Sequence, residues 1–210
     1  MSTTSVAYLG PAGTFTEEAL WLFRDHIEGD IEPLPVDSPS EALNAVREGR
    51  AQYAVVAIEN SVDGAVTSTS DAFVEGGGVM IYREVELPIS FAIMTRPGFE
   101  LRDATSFSTH PVAHRQVRRW LEDNLPGAEF TAASSNAAAA KAVAEGEADA
   151  AAAPRRAADL FGLDVHAEGI ADMSGARTRF VLAGPTGVPT KRTGNDRTSV
   201  VFLSLIHISE

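Results

Sequence analysis

One step recurs along this chain and limits what it can become: a short apolar run, a turn of small or hydroxyl-bearing residues, then a helix with an apolar stripe. Val6-Ala7-Tyr8-Leu9 runs into Gly10-Pro11-Ala12-Gly13 and a helix whose Leu20, Phe23 and Ile27 share a face. Residues 34–36 lead to Ser38-Pro39-Ser40-Glu41, residues 105–107 to Ser108-Thr109-His110-Pro111, residues 130–133 to Ser134-Ser135-Asn136, and residues 148–153 to Pro154. Strands joined through helices are parallel and buried on both faces, so the pattern predicts sheets wrapped by helices. Residues 79–95 break the rhythm with two extended apolar segments, parted at Pro88 and lacking a helical period. Midway between two β/α portions, such a stretch is what a crossover between lobes requires. The fold class expected is therefore α/β, two-lobed, with a ligand cleft between the lobes.

The turns also locate helix starts. Thr14 with Glu17 makes a capping box, and Ser38, Pro39 and Glu41 supply an N-cap, an N1 proline and an N3 carboxylate. Ser134-Ser135-Asn136 caps an alanine-rich helix that Gly146 stops. A helix start offers unbonded N–H groups to an anion, which makes Gly13, Thr14, Thr109, His110 and Ser135 candidate ligand contacts. Many such turns bind nothing, and His110 is read first as a structural cap and second as a proton carrier. Residues 53–58 form a buried strand that stops at Glu59-Asn60-Ser61. An amide and a hydroxyl at the carboxyl end of a parallel strand stand where open α/β sheets hold ligands, so Asn60 and Ser61 join the candidates. Finally, Gly175-Ala176-Arg177-Thr178-Arg179-Phe180 sets a hydroxyl between two guanidinium groups at the mouth of a strand. That suits a small anion and the handling of one proton, although Thr, Arg and Phe also alternate in any half-exposed strand.

Composition excludes several classes of function. A net charge of −12, with lysine only at Lys141 and Lys191, argues against nucleic acid as a partner and suits a cytoplasm rich in salt. The absence of cysteine removes disulfides, thiolate metal sites and cysteine nucleophiles. Only His110 and His114 share an i,i+4 spacing, with no acidic third ligand nearby, so no metal is expected. No apolar run approaches a membrane span and the first residues lack signal-peptide features, so a cytoplasmic protein with no membrane partner is expected.

Taken together, five motifs resemble the prephenate dehydratase family, in its order and spacing over residues 6–183. They are Gly10-Pro11-Ala12-Gly13-Thr14-Phe15-Thr16; Ile58-Glu59-Asn60-Ser61; Thr109-His110-Pro111 with Ala113 and Gln116; Ser135 with Ala137, Ala139 and Ala140; and Thr178-Arg179-Phe180. The sequence departs from the family pattern at Ala57, Thr109, Val112, Asn136 and Ala176, where the family commonly has Pro, Ser, Gln, Thr and Asn. The resemblance implies a periplasmic-binding-protein-like fold of type II, with one lobe of about residues 1–80 plus 172–183 and another of about residues 85–170. It implies conversion of prephenate to phenylpyruvate with loss of water and carbon dioxide, without a cofactor. Arogenate dehydration and a non-catalytic module for a small anion are the alternatives. Thr178 would assist the departing hydroxyl, and Arg179, Phe180, Asn60, Ser61, Thr14, Gly13, Thr109, His110 and Ser135 would contact the substrate. Residues 184–196 read as a linker. Arg197-Thr198-Ser199-Val200-Val201-Phe202 resembles the first strand of the phenylalanine-binding ACT domain that follows in the family, and residues 204–210 do not resemble its continuation. Homo-oligomers are expected of the full-length form.

Overall fold

Two sheets divide the molecule, and both are built in the same order. A computed structural model describes residues 2–62, 64–172, 175–187 and 190–200. In the first lobe β1 (Thr3–Leu9), α1 (Phe15–Leu22), β2 (Asp30–Val36), α2 (Pro39–Arg47) and β3 (Tyr53–Asn60) alternate as expected. The two-residue β4 (Gly64–Ala65), α3 (Thr67–Gly76) and β5 (Val79–Pro88) complete its first portion. The second lobe runs β6 (Ala92–Thr95), β7 (Ser106–Thr109), α4 (Pro111–Gln116), α5 (Arg118–Asn124), β8 (Glu129–Ala132), α6 (Asn136–Glu145), β9 (Ala150–Ala153), α7 (Arg155–Phe161) and β10 (Asp164–Glu168). The chain then returns to the first lobe as β11 (Arg177–Pro185).

The first sheet has the order β2-β1-β3-β11-β5, with β1, β2 and β3 parallel and β11 antiparallel to both its neighbours. The second has β8-β7-β9-β6-β10, with β7, β8 and β9 parallel and β6 antiparallel to β9. Each lobe thus places its second, first and third parallel strands side by side and adds a strand running the other way, the arrangement of a type II binding-protein fold. The two crossovers run together: Ile89 N–H donates to Ala176 C=O and Gly169 N–H to Phe91 C=O.

Boundaries shift where tertiary pairing overrides local pattern. All of β5 belongs to the first sheet, so the crossover falls just after Pro88, and the first lobe extends past residue 80. β11 extends to Pro185, two residues into the stretch read as linker, because Gly184 and Pro185 pair with Met80 and Val79. Residues 197–200 carry no strand, and the rest of the segment read as an ACT strand and tail lies outside the described residues. α3 was not expected from its Thr67-Ser68-Thr69-Ser70 start, which combines poor helix formers with no side-chain cap. It is held from outside instead: the Arg47 guanidinium donates to the carbonyls of Ala72 and Gly77 near its end.

The cores differ. On the α1 side of the first sheet pack Tyr8, Leu20, Phe23, Val55, Phe180 and Leu182; Leu20, Phe23 and Ile27 are all buried there, although the helix expected to carry them ends at Leu22 and Ile27 follows a 3-10 turn over residues 24–26. In the second lobe the central strand β9 is four alanines, all fully buried: Ala151 and Ala153 pack with alanines of α6 and α7, and Ala150 and Ala152 with Phe107, Val117 and Leu121 on the other face. Residues this small let helices lie close to a sheet, and Ala is also the best helix former.

Candidate active site

β11 arrives between β3 and β5 with a defect in its pairing that decides where its side chains point. Thr178 pairs with Asn60 and Arg179 with Glu59, but Phe180 pairs with Ala57, so Ile58 is left over as a bulge in β3. Successive strand residues face opposite sides. Thr178 therefore shares a face with Phe180 and, across β5, with Leu87 and Val85, while Arg179 lies on the reverse face with Glu84 and Glu86. The bulge lets β3 match both: Asn60 meets Thr178, and Glu59 meets Arg179.

Thr178 is buried, and its Oγ1 accepts a hydrogen bond from Asn60 Nδ2 at 3.0 Å. The Asn60 Oδ1 accepts from the backbone N–H of Val62 at 2.8 Å, and since that N–H can only donate, the amide is oriented with its nitrogen toward Thr178. The Thr178 proton is consequently not spent on Asn60. Ala176 has no side-chain amide to offer, and the side-chain support of the threonine comes from Asn60 on β3. Ser61 splints the start of β11, its Oγ accepting from Arg177 N–H and its N–H donating to Arg177 C=O, both at 2.9 Å.

The carboxyl ends of both sets of parallel strands meet across the lobes. An added Cβ on Gly13 would lie 3.4 Å from both Ala137 and Ala157, so the start of α1 packs directly on the starts of α6 and α7. Beside this contact opens a cleft of about 620 Å³ between the lobes, lined by Gly10, Pro11, Thr14, Phe15, Thr16 and Asp37 from one lobe and His110, Ser134, Ser135 and Asn136 from the other. That volume is typical of a small-molecule site. Thr14 Oγ1 accepts from Glu17 N–H at 3.4 Å and Ser135 Oγ from Ala138 N–H at 3.0 Å, as the capping pattern predicts. Among the described residues the N–H groups of Phe15, Thr16, Asn136 and Ala137, in the first turns of α1 and α6, have no protein partner.

Several expected contacts sit elsewhere, for local reasons. Thr109 is fully buried, its one hydroxyl proton lying between Ala152 C=O at 2.7 Å and Asn136 Oδ1 at 3.1 Å, so its hydroxyl is structural here. Asn136 Oδ1 also accepts from His110 N–H, joining two of the positions that depart from the family pattern. His110 caps α4, its Nδ1 accepting from Val112 N–H, and the ring borders the cleft. Phe180 is in the first lobe's core. The Gly13 N–H, expected to meet a ligand carboxylate, donates to Glu17 Oε2 at 2.7 Å. Arg179 is gripped by Glu59 and Glu84 at 2.6 and 2.8 Å, and both carboxylates raise the pKa of its guanidinium.

An ion pair joins the lobes with no local sequence pattern to announce its two partners. Arg156, in the first turn of α7, forms a two-bond fork with Glu17 of the other lobe, both contacts 3.0 Å, and covers the Trp21 ring. Burial pushes the Glu17 carboxyl up, but Arg156, the Gly13 N–H and the Trp21 indole outweigh it and hold the group below the usual carboxylate range. Burial and the Glu17 charge push the neighbouring Tyr8 hydroxyl up to about 12. The available signal was an anomaly: an arginine in the first turn of a helix opposes the helix dipole and needs a partner to explain it.

A family model described as prephenate dehydratase matches residues 6–186. A prephenate dehydratase of Corynebacterium glutamicum is 56% identical over 202 residues, covering 95% of this chain and 64% of that protein. Among solved structures, a prephenate dehydratase of Arthrobacter aurescens in complex with L-Phe is 40% identical with a TM-score of 0.81, over 90% of this chain and 62% of that one. A protein described as a novel type of quorum-quenching acylase is 28% identical with a TM-score of 0.75, over 90% of this chain and 66% of that one. The chain thus spans a little under two thirds of the length of the two dehydratases it matches.

Proposed function

Because the chain belongs to the prephenate dehydratase family, we propose that it converts prephenate to phenylpyruvate, expelling water and carbon dioxide. Loss of the two groups makes the ring aromatic, which supplies the driving force. What remains for the protein is a hydrogen bond or proton for the departing hydroxyl and a seat for the carboxylates. The single observation that carries this reading is the Asn60–Thr178 pair: the amide fills one lone pair of the threonine oxygen and leaves its proton available to a substrate hydroxyl. A threonine hydroxyl is a very weak acid, so it donates or relays a proton rather than ionising. The open N–H groups at the starts of α1 and α6 are the carboxylate seats, with His110 at the cleft's border. An acylase reading would need a base to activate the nucleophile, and Thr178 receives a donor instead.

The same reading makes residues 1–185 the catalytic domain, residues 186–196 a linker, and Arg197 the start of an ACT-like segment. The net charge of −12 supports a salt-rich cytoplasm as the chain's setting. The melting temperature of so acidic a protein should rise from low to molar salt, and a flat or falling curve would remove the halophile reading.

Incubation with prephenate while following phenylpyruvate absorbance tests the activity. Comparing kcat/KM for arogenate, whose side chain carries an amino group, tests the substrate. Binding of prephenate without turnover would leave a small-anion module.

A further inference from the structure

The charged cluster on the reverse face of β11 has no part in the cleft, yet it sits directly behind Thr178. We propose that Arg179 is a positioning residue: by gripping Glu59 on β3 and Glu84 on β5 at once, it pins the bulge at Ile58 and so keeps Thr178 opposite Asn60. The proposal rests on the reading of Thr178 as the hydroxyl that serves the leaving group.

A bulge is where a ladder can slip, and a slip of one residue turns every side chain beyond it to the other face. Here such a slip would take Thr178 off Asn60. The β3–β11 ladder skips Ile58, whose carbonyl accepts from Val66 N–H instead, and β11 and β5 carry a second irregularity between Leu182 and Ala183, so Thr178 sits in the short stretch between the bulge and the backbone bond from Ser61 to Arg177. The guanidinium spans all three strands immediately beside the bulge, with one nitrogen at 2.6 Å from Glu59 and another at 2.8 Å from Glu84. Its Nε is out of solvent and has no hydrogen-bond partner among the described residues, so the fork is held for its two carboxylates at the expense of its third nitrogen. Glu84 is itself held from the far side by Arg197. Lysine, a single point charge, does not reproduce a fork that reaches two strands.

The test compares the parent with a Glu59→Gln/Glu84→Gln double variant and with Arg179→Lys, read in two ways. The first is the side-chain amide resonance of Asn60, identified by its loss in Asn60→Asp, and its exchange with solvent. The second is steady-state kinetics with prephenate. If the pin operates, the protected Asn60 amide signal disappears in the double variant. Meanwhile kcat falls roughly 10- to 100-fold with KM little changed, the cost of misplacing a reacting group. Arg179→Lys should lie between parent and double variant. An unchanged Asn60 amide in a folded variant that merely melts earlier overturns the proposal, and so does a rise in KM at constant kcat, which would make Arg179 a substrate contact. If the double variant does not fold, Glu59→Gln and Glu84→Gln singly give the same readouts. Should the parent fail to turn over prephenate, the amide signal still decides the pin, and only the proposed activity is lost.

Discussion

The two lobes share a strand order and divide the labour differently. In the first, the hydroxyl proposed to serve the leaving group comes on β11, a strand that returns from the far lobe, and its placement depends on side chains 118 residues apart in sequence. In the second, what faces the cleft is the start of α6, closed by its own Ser135 three residues from Ala138. One lobe offers a side chain that must be aimed; the other offers backbone N–H groups that any well-capped helix provides. The inner strands differ too: β11 brings Phe180 and Leu182 into the first lobe's core, whereas β9 brings only alanines into the second's. The comparison teaches that one fold repeated twice can be tuned for aim in one copy and for close packing in the other.

The sharpest way to break this division is kinetic. Thr178→Val keeps shape and branching and should lower kcat about 10²-fold or more with little change in KM. Ser135→Ala should mainly raise KM and cost about 1 kcal/mol of stability through the lost cap. Equal kcat losses in the two would erase the distinction. The cores make the next largest contrast, read by urea denaturation. Leu20→Ala opens a cavity in the first lobe and should cost about 2–5 kcal/mol. Ala152→Val overfills the second and should cost roughly 1–3 kcal/mol. If Ala152→Val proves neutral, the alanine strand is not tightly packed.

The mildest test is acid titration of the second lobe. Burial pushes the Asp149 carboxyl up, but the N–H and hydroxyl groups of Thr105 and Ser106 bring it down to about 2. A carboxylate depressed on folding contributes stability that is full above its unfolded pKa of about 4 and lost as pH falls toward 2. Urea midpoints measured from pH 5 to 2 should fall less steeply in Asp149→Asn than in the parent. An identical slope would mean that Asp149 does not anchor β7.

What the sequence made legible was local. Caps whose partners lie three residues away, such as Thr14 with Glu17 and Ser38 with Glu41, appear in the structure as their spacing predicts. So do the parallel strands and the two-lobed order. Hidden from the sequence were pairings between distant segments: Asn60 with Thr178, Glu17 with Arg156, and Glu59 and Glu84 with Arg179. Period two says that Thr178 and Arg179 face opposite sides, but only the partner strands say which side is the site. Thr109 reads as an exposed turn hydroxyl because nothing nearby in sequence announces Ala152 C=O, its acceptor. α3 was masked by Ser and Thr whose helix is held together by Arg47, twenty residues upstream of its first turn.

The contact between Glu17, Arg156 and Trp21 has an optical consequence. The Trp21 indole donates to Glu17 Oε1 at 3.3 Å, and the guanidinium from the opposite lobe lies 5.7 Å from its ring centre. Any parting of the lobes takes the positive charge off one face of the fluorophore and changes the field in which it emits. The chain's other indole, Trp120, belongs to the second lobe's own core and stays in its surroundings. The native protein therefore carries, without a dye or a label, one emitter whose surroundings span both lobes and one whose surroundings do not.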